Sequence, residues 1–140
     1  MVPRVQVVAT TFEGTRAALL AAIPLARGLD TGVTIVVPRI VSCSGDLDAP
    51  APTSELIAKR YQDIAQFIGA DAEVDVFASI GVDELLAHIC AVGGPVVVGG
   101  PVGRWLTSPE ERFANRLALA GCQVMFVASG ANTTQRRVAA

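Results

Sequence analysis

The segment VVVGGPVGRWLTSPEER, residues 96–112, gathers glycines, an arginine and hydroxyl side chains in one strand-to-helix turn, which raises the question of a phosphate cradle. Gly100 and Gly103 would let backbone N–H groups approach an anion, and Arg104 would offer a bidentate guanidinium. Thr107 and Ser108 would add hydroxyls at the positive end of a following helix. Trp105 could stack on a base. Against this stands the run Ser108-Pro109-Glu110-Glu111, which has the form of a capping box with Ser108 at the N-cap and Glu111 at N3. Pro109 removes one donor, Ser108 and Glu111 can satisfy others, and two carboxylates take up the positive helix end. The preferred reading is a tight strand-to-helix connection; the phosphate cradle is the alternative. On the same reasoning, Arg104 and Trp105 cover an apolar edge or meet a partner more readily than they clamp a nucleotide.

The remaining reactive residues are scattered. His88, the single histidine, falls among Leu85, Leu86, Ile89 and Cys90 and is read as a packed or partly exposed helix residue. Cys43, Cys90 and Cys122 are odd in number and lack paired spacing, so neither a disulfide framework nor a zinc knuckle is expected. Cys43 to Asp46 reads as an ordinary loop without a local base. Asp71, Glu73 and Asp75 alternate with apolar residues and read as a solvated strand face, because no glycine-marked calcium loop accompanies them. The P-loop and Gly-x-Gly-x-x-Gly signatures are absent, as is the acceptor aspartate of a phosphorylation receiver. No acid, base and nucleophile combine, so the expectation is a protein that is not an enzyme and holds no metal.

The elements that would carry these residues alternate regularly. Val5 to Ala9 is β-branched and apolar, as expected of a strand covered on both faces. An alanine- and leucine-rich helix follows, capped by Thr11 or Thr15 and kinked at Pro24, before a second buried strand at Val33 to Pro38. Ser42 to Pro52 reads as a mobile loop. A helix opening at Thr53 or Ser54 puts Ile57, Tyr61, Ile64, Ala65 and Ile68 on one stripe. The alternation in AEVDVFAS suggests an edge strand, and a short helix from Asp83 to Ala91 leads to the fourth strand at GGPVVVGG. A last helix, with Phe113, Ala114, Leu117 and Ala118 on one face, precedes the fifth strand, QVMFVAS. This predicts an α/β three-layer sandwich: a doubly wound, five-stranded parallel sheet of flavodoxin-like or Rossmann-like type. Residues 1–129 would form a single domain, with 130–140 a flexible tail. Ligands in such sheets lie at the carboxyl ends of the strands, where Thr10, Thr11, Pro38 and the Gly99 to Ser108 loop should converge.

Composition agrees with this reading. The chain has 140 residues, 51% hydrophobic but only 5% aromatic, so Val, Leu, Ile and Ala must fill one core. A net charge of −2 supplies no basic field for nucleic acid. The long uncharged windows, Leu85 to Gly103 and Leu117 to Gln135, are broken by glycine, proline or polar residues, so no membrane span is expected. The N-terminal sequence shows no secretory signal, and a cytoplasmic setting is expected.

At this level the chain resembles the universal stress protein family, in element order, in the long loop before the second helix, and in VVVGG followed by glycine. The segment GCQVMFV resembles the family's Cys-Pro-Val entry to the final strand, with Cys122 and Val124 matching and Gln123 in place of proline. In nucleotide-binding members the motif is Gly, two residues, Gly, a longer spacer, then Gly and Ser or Thr, with an Asp ending the first strand. Gly100 and Gly103 match the first pair and Ser108 the final hydroxyl. Only Arg104, Trp105 and Leu106 separate Gly103 from Thr107, which holds the place of the last Gly, and Thr10 and Thr11 stand where the Asp would be. The resemblance implies a non-catalytic regulatory module of the stress response, not a strong ATP binder, working with an unknown protein partner. It also implies a homodimer paired through the last strand, Val124 to Ala128. No cofactor is expected; the alternative is an ATP- or AMP-binding protein using Thr10, Thr11, Gly100, Gly103, Arg104, Thr107 and Ser108.

Overall fold

The valine-rich runs form the strands, and the alanine- and leucine-rich segments between them form the helices. In the computed structural model, which describes residues 3–40, 54–103, 105–129 and 135–138, β1 (Val5–Val8), α1 (Phe12–Gly28) and β2 (Val33–Ile40) open the chain. They are followed by α2 (Ser54–Ile68), β3 (Ala72–Ser79), α3 (Val82–Val92) and β4 (Val96–Gly100). The chain continues through α4 (Pro109–Leu119), β5 (Val124–Ala128) and β6 (Gln135–Val138). The sheet order is β3-β2-β1-β4-β5-β6, with the first five strands all parallel. Strand β3 lies at an edge, as its alternating pattern predicted. The expected mobile loop at Ser42 to Pro52, Thr53 as a cap, and the thiol of Cys43 lie outside the described residues.

Strand alternation divides the core in two. Val5, Val7, Ile35, Val37 and Val97 face α1 and α2, whose Ala18, Leu19, Ala22 and Ala65 are buried against them. Val8, Val36, Val98 and Phe126 face α3 and α4, meeting Leu85, Ile89, Ala114 and Leu117. Burying each large aliphatic side chain contributes roughly 1.5–3 kcal/mol, so these two layers carry most of the stability. Gln6 interrupts the apolar pattern of β1 and is only 2% exposed. Its side-chain Nε2 donates to the carbonyl oxygen of Ile89 at 2.8 Å, satisfying one of the orphan carbonyls in the last turn of α3. Helix α1 runs through Pro24 without a break, because Pro24 lies on its exposed side, where a carbonyl left unpaired can meet water.

Two expectations need correction. The tail, expected to be loose, supplies a sixth strand: β6 pairs antiparallel with β5, Val127 opposite Gln135 and Val124 opposite Val138. A terminal parallel strand leaves a row of unpaired N–H and C=O groups, and backbone pairing there needs no apolar signature in the incoming segment. The edge of Val124 to Ala128, expected to receive a second copy, is therefore occupied by the chain itself. The cysteines also differ from expectation, since Cys90 and Cys122 form a disulfide with Cα atoms 5.6 Å apart. Sequence spacing gave no hint because the two are 32 positions apart with a whole strand-helix unit between them.

Candidate functional site

In this topology the chain leaves β1 toward β2 and returns later to β4, so the crevice at the carboxyl ends of β1 and β4 is the switch point where such sheets bind ligands. The structure brings Thr10, Thr11, Gly99 and Gly100 together there. The Thr10 hydroxyl donates to the Gly99 carbonyl at 2.6 Å, and the Thr10 N–H donates to the Thr15 hydroxyl at 3.0 Å. Thr11 is the N-cap of α1, its hydroxyl accepting from the Gly14 N–H at 3.0 Å. The first turn of α1 lies directly on β4: a Cβ on Gly99 would overlap the Gly14 carbonyl and crowd the Ala18 N–H. Glycine at both positions permits this approach, and it closes one half of the crevice with backbone. Pro38, expected at the same place, instead sits inside β2 opposite Phe77, because β2 continues to Ile40.

The other half is the loop between β4 and α4. Helix α4 begins with the expected capping box: the Ser108 hydroxyl accepts from the Glu111 N–H at 3.1 Å, and Glu111 Oε1 accepts from the Ser108 N–H at 3.0 Å. Glu111 does more than the motif requires. The same Oε1 accepts from the Gly103 N–H at 2.6 Å, a charge-assisted bond that folds the loop back over the helix start. Gly103 allows this because any Cβ there would collide with the Leu106 carbonyl. Arg112 Nη1 ties down the Thr107 carbonyl at 2.9 Å. The Glu110 side chain lies against Gly100, and its Oε2 is enclosed without a hydrogen-bond partner among the described residues. A carboxylate oxygen thus sits where Gly103 and Ser108 present their N–H groups, and a second carboxylate covers Gly100. An incoming phosphate would have to displace the first and tolerate the second.

Trp105 does not cover an apolar edge. It is 91% exposed, beside Leu106 at 82% and Val102 at 44%. Arg104 lies outside the described residues.

Sequence reasoning missed a pairing on the opposite edge of the sheet. His88 Nε2 lies 2.7 Å from Asp75 Oδ2, and the imidazole stacks on Phe77 with ring centroids 3.8 Å apart. Asp75, on the strand face expected to be solvated, instead pairs with the middle of α3. The alternating carboxylates and the lone histidine were the only signal, and pairing them needs the position of α3 on β3. Among the described residues, no group of three or more His, Cys, Asp or Glu side chains could hold a metal ion. No helix among them is long and apolar enough to cross a membrane.

Neither a family model nor a curated protein matches the sequence. Solved structures do match the fold. A universal stress protein in complex with cAMP superposes with a TM-score of 0.60 at 19% identity, over 93% of this chain and 100% of that one. The chain has the universal stress protein fold. A universal stress protein from Archaeoglobus fulgidus gives a TM-score of 0.59 at 15% identity, over 93% of this chain and 96% of the other. A universal stress protein family protein from Arabidopsis thaliana, with AMP bound, gives 0.57 at 14% identity, over 92% and 93%. The universal stress protein fold therefore spans nearly all of both partners in each comparison.

Proposed function

We propose that this chain is a non-catalytic regulatory module of the stress response, built on the universal stress protein fold, whose nucleotide loop is closed by its own carboxylate. The observation that carries this reading is the position of Glu111 Oε1, within hydrogen-bond reach of both Gly103 N and Ser108 N. Those donors are what a phosphate would use. On this reading the protein works in the cytoplasm through a protein partner, and the exposed Val102, Trp105 and Leu106 beside the closed loop are the surface offered. A homodimer would use the outer edge of β6 or displace it from β5; a monomer mass independent of concentration would remove the dimer from this proposal.

A second reading has its own support, since two of the similar structures are described with cAMP or AMP. In that reading Thr10, Thr11, Gly100, Gly103, Thr107 and Ser108 hold AMP or ATP after Glu111 swings away. One experiment separates the two. Purified protein is denatured and assayed for released nucleotide, and its melting temperature is followed with ATP, AMP or cAMP in the presence of magnesium. The closed-loop reading expects no released nucleotide and no shift. Stoichiometric nucleotide, or a rise that grows with ligand concentration, would overturn it, because binding only the native state must stabilise it.

A further inference from the structure

The disulfide between Cys90 and Cys122 is unusual for its setting. Small domains use such bonds to make up for an insufficient core, but this chain buries two full apolar layers without one. Both half-cystines lie at the margin of the layer formed by α3 and α4, where a thiol can pack as a small apolar group. Their exposure is unequal. Cys122 is buried at 6% exposure, its N–H held by the Leu117 carbonyl at 3.0 Å, whereas Cys90 is partly open to solvent in the last turn of α3. The bond joins the end of α3 to the entry of β5, whereas the exposed Arg116 to Asp83 ion pair at 2.9 Å ties the first turn of α3 to α4.

We propose that Cys90 and Cys122 form a reversible thiol-disulfide site that responds to the cellular glutathione couple, with Cys90 as the sulfur that exchanges. In reduction, a glutathione thiolate attacks Sγ of Cys90, the bond to Cys122 breaks, and the Cys122 sulfur leaves as a thiolate that takes up a proton. A second glutathione thiolate then attacks the glutathione sulfur of the mixed disulfide, giving glutathione disulfide and releasing the Cys90 thiolate for protonation. Two glutathiones are oxidised and one protein disulfide is reduced; oxidation by glutathione disulfide runs the same steps backwards. Opening the bond removes the covalent clasp on the last turn of α3 and leaves the Gln6 amide, the His88 to Asp75 pair, the Arg116 to Asp83 pair and apolar packing to hold that helix.

The test uses the whole chain, equilibrated in glutathione buffers from reducing to oxidising, then quenched, alkylated and read by mass spectrometry. Cys90 and Cys122 are expected to convert together while the protein stays folded, and the reduced form should melt about 10 °C lower. Hydrogen exchange should rise on reduction in residues 86–92 and stay unchanged in β1. Cys122→Ser should trap a glutathione adduct on Cys90, while Cys90→Ser should leave Cys122 unmodified. Should either variant fail to fold, the reduced parent protein serves in its place, and Cys90 should alkylate faster than Cys122. Reduction only in denaturant, a pairing with Cys43 instead, or faster reaction at Cys122 would each overturn the proposal.

Discussion

The starts of α1 and α4 face the same crevice, and each must satisfy N–H groups that have no partner within the helix. At α1 neutral hydroxyls do this: Thr11 accepts from Gly14, Thr15 accepts from Thr10, and the Thr10 hydroxyl is left to donate to Gly99. At α4 a carboxylate does it, with Glu111 accepting from both Gly103 and Ser108. The difference is one of charge. A hydroxyl can rotate and both donate and accept, and it carries no net charge. An ionised carboxylate only accepts and carries a fixed charge. The α4 start therefore discriminates against anions by charge, whereas the α1 start is closed by the contact of Gly14 with Gly99.

The largest effect is expected where backbone, not a side chain, closes the crevice. Gly99→Ala must push α1 off β4 and should cost about 3 kcal/mol, seen as a lower urea midpoint. A variant as stable as the parent would mean that the α1 side of the crevice is open. Glu111→Ala should lose about 1–2 kcal/mol and, unlike the parent, gain a rise in melting temperature with AMP, because the Gly103 and Ser108 donors are released. If AMP leaves both proteins unaffected, the carboxylate is not what excludes it. Thr11→Ala should cost about 1 kcal/mol in thermal denaturation without any change in response to anions, since its hydroxyl only caps. Trp105→Ala, in the exposed loop before α4, should alter stability by less than about 0.5 kcal/mol. A larger loss in calorimetry would show that Trp105 is packed in solution.

What the sequence revealed followed the range of the interaction. The five parallel strands and four helices were legible because Val5 to Ala9, Val33 to Pro38 and the stripe from Ile57 to Ile68 announce their period locally. The capping box was legible for the same reason, as Ser108 and Glu111 are three apart. The bond from Glu111 back to Gly103 was only half visible: the motif gives the carboxylate, but the loop geometry decides what else it reaches. His88 with Asp75 and Cys90 with Cys122 were hidden because each joins elements whose relative placement a linear pattern does not specify. Strand β6 was hidden because its attachment is backbone pairing along an edge.

Gln6 has a consequence for the order in which the molecule assembles. Its amide reaches Ile89 across 83 positions of chain, from the central strand to the last turn of a helix on one face. That turn cannot gain its buried donor until β1 is in place, and α3 is the helix that has to wait. Amide protection at the end of α3 should therefore appear late in refolding, and should lag further when Gln6 is replaced by leucine. The one polar side chain buried in the central strand would then act as a clock for the completion of the sheet.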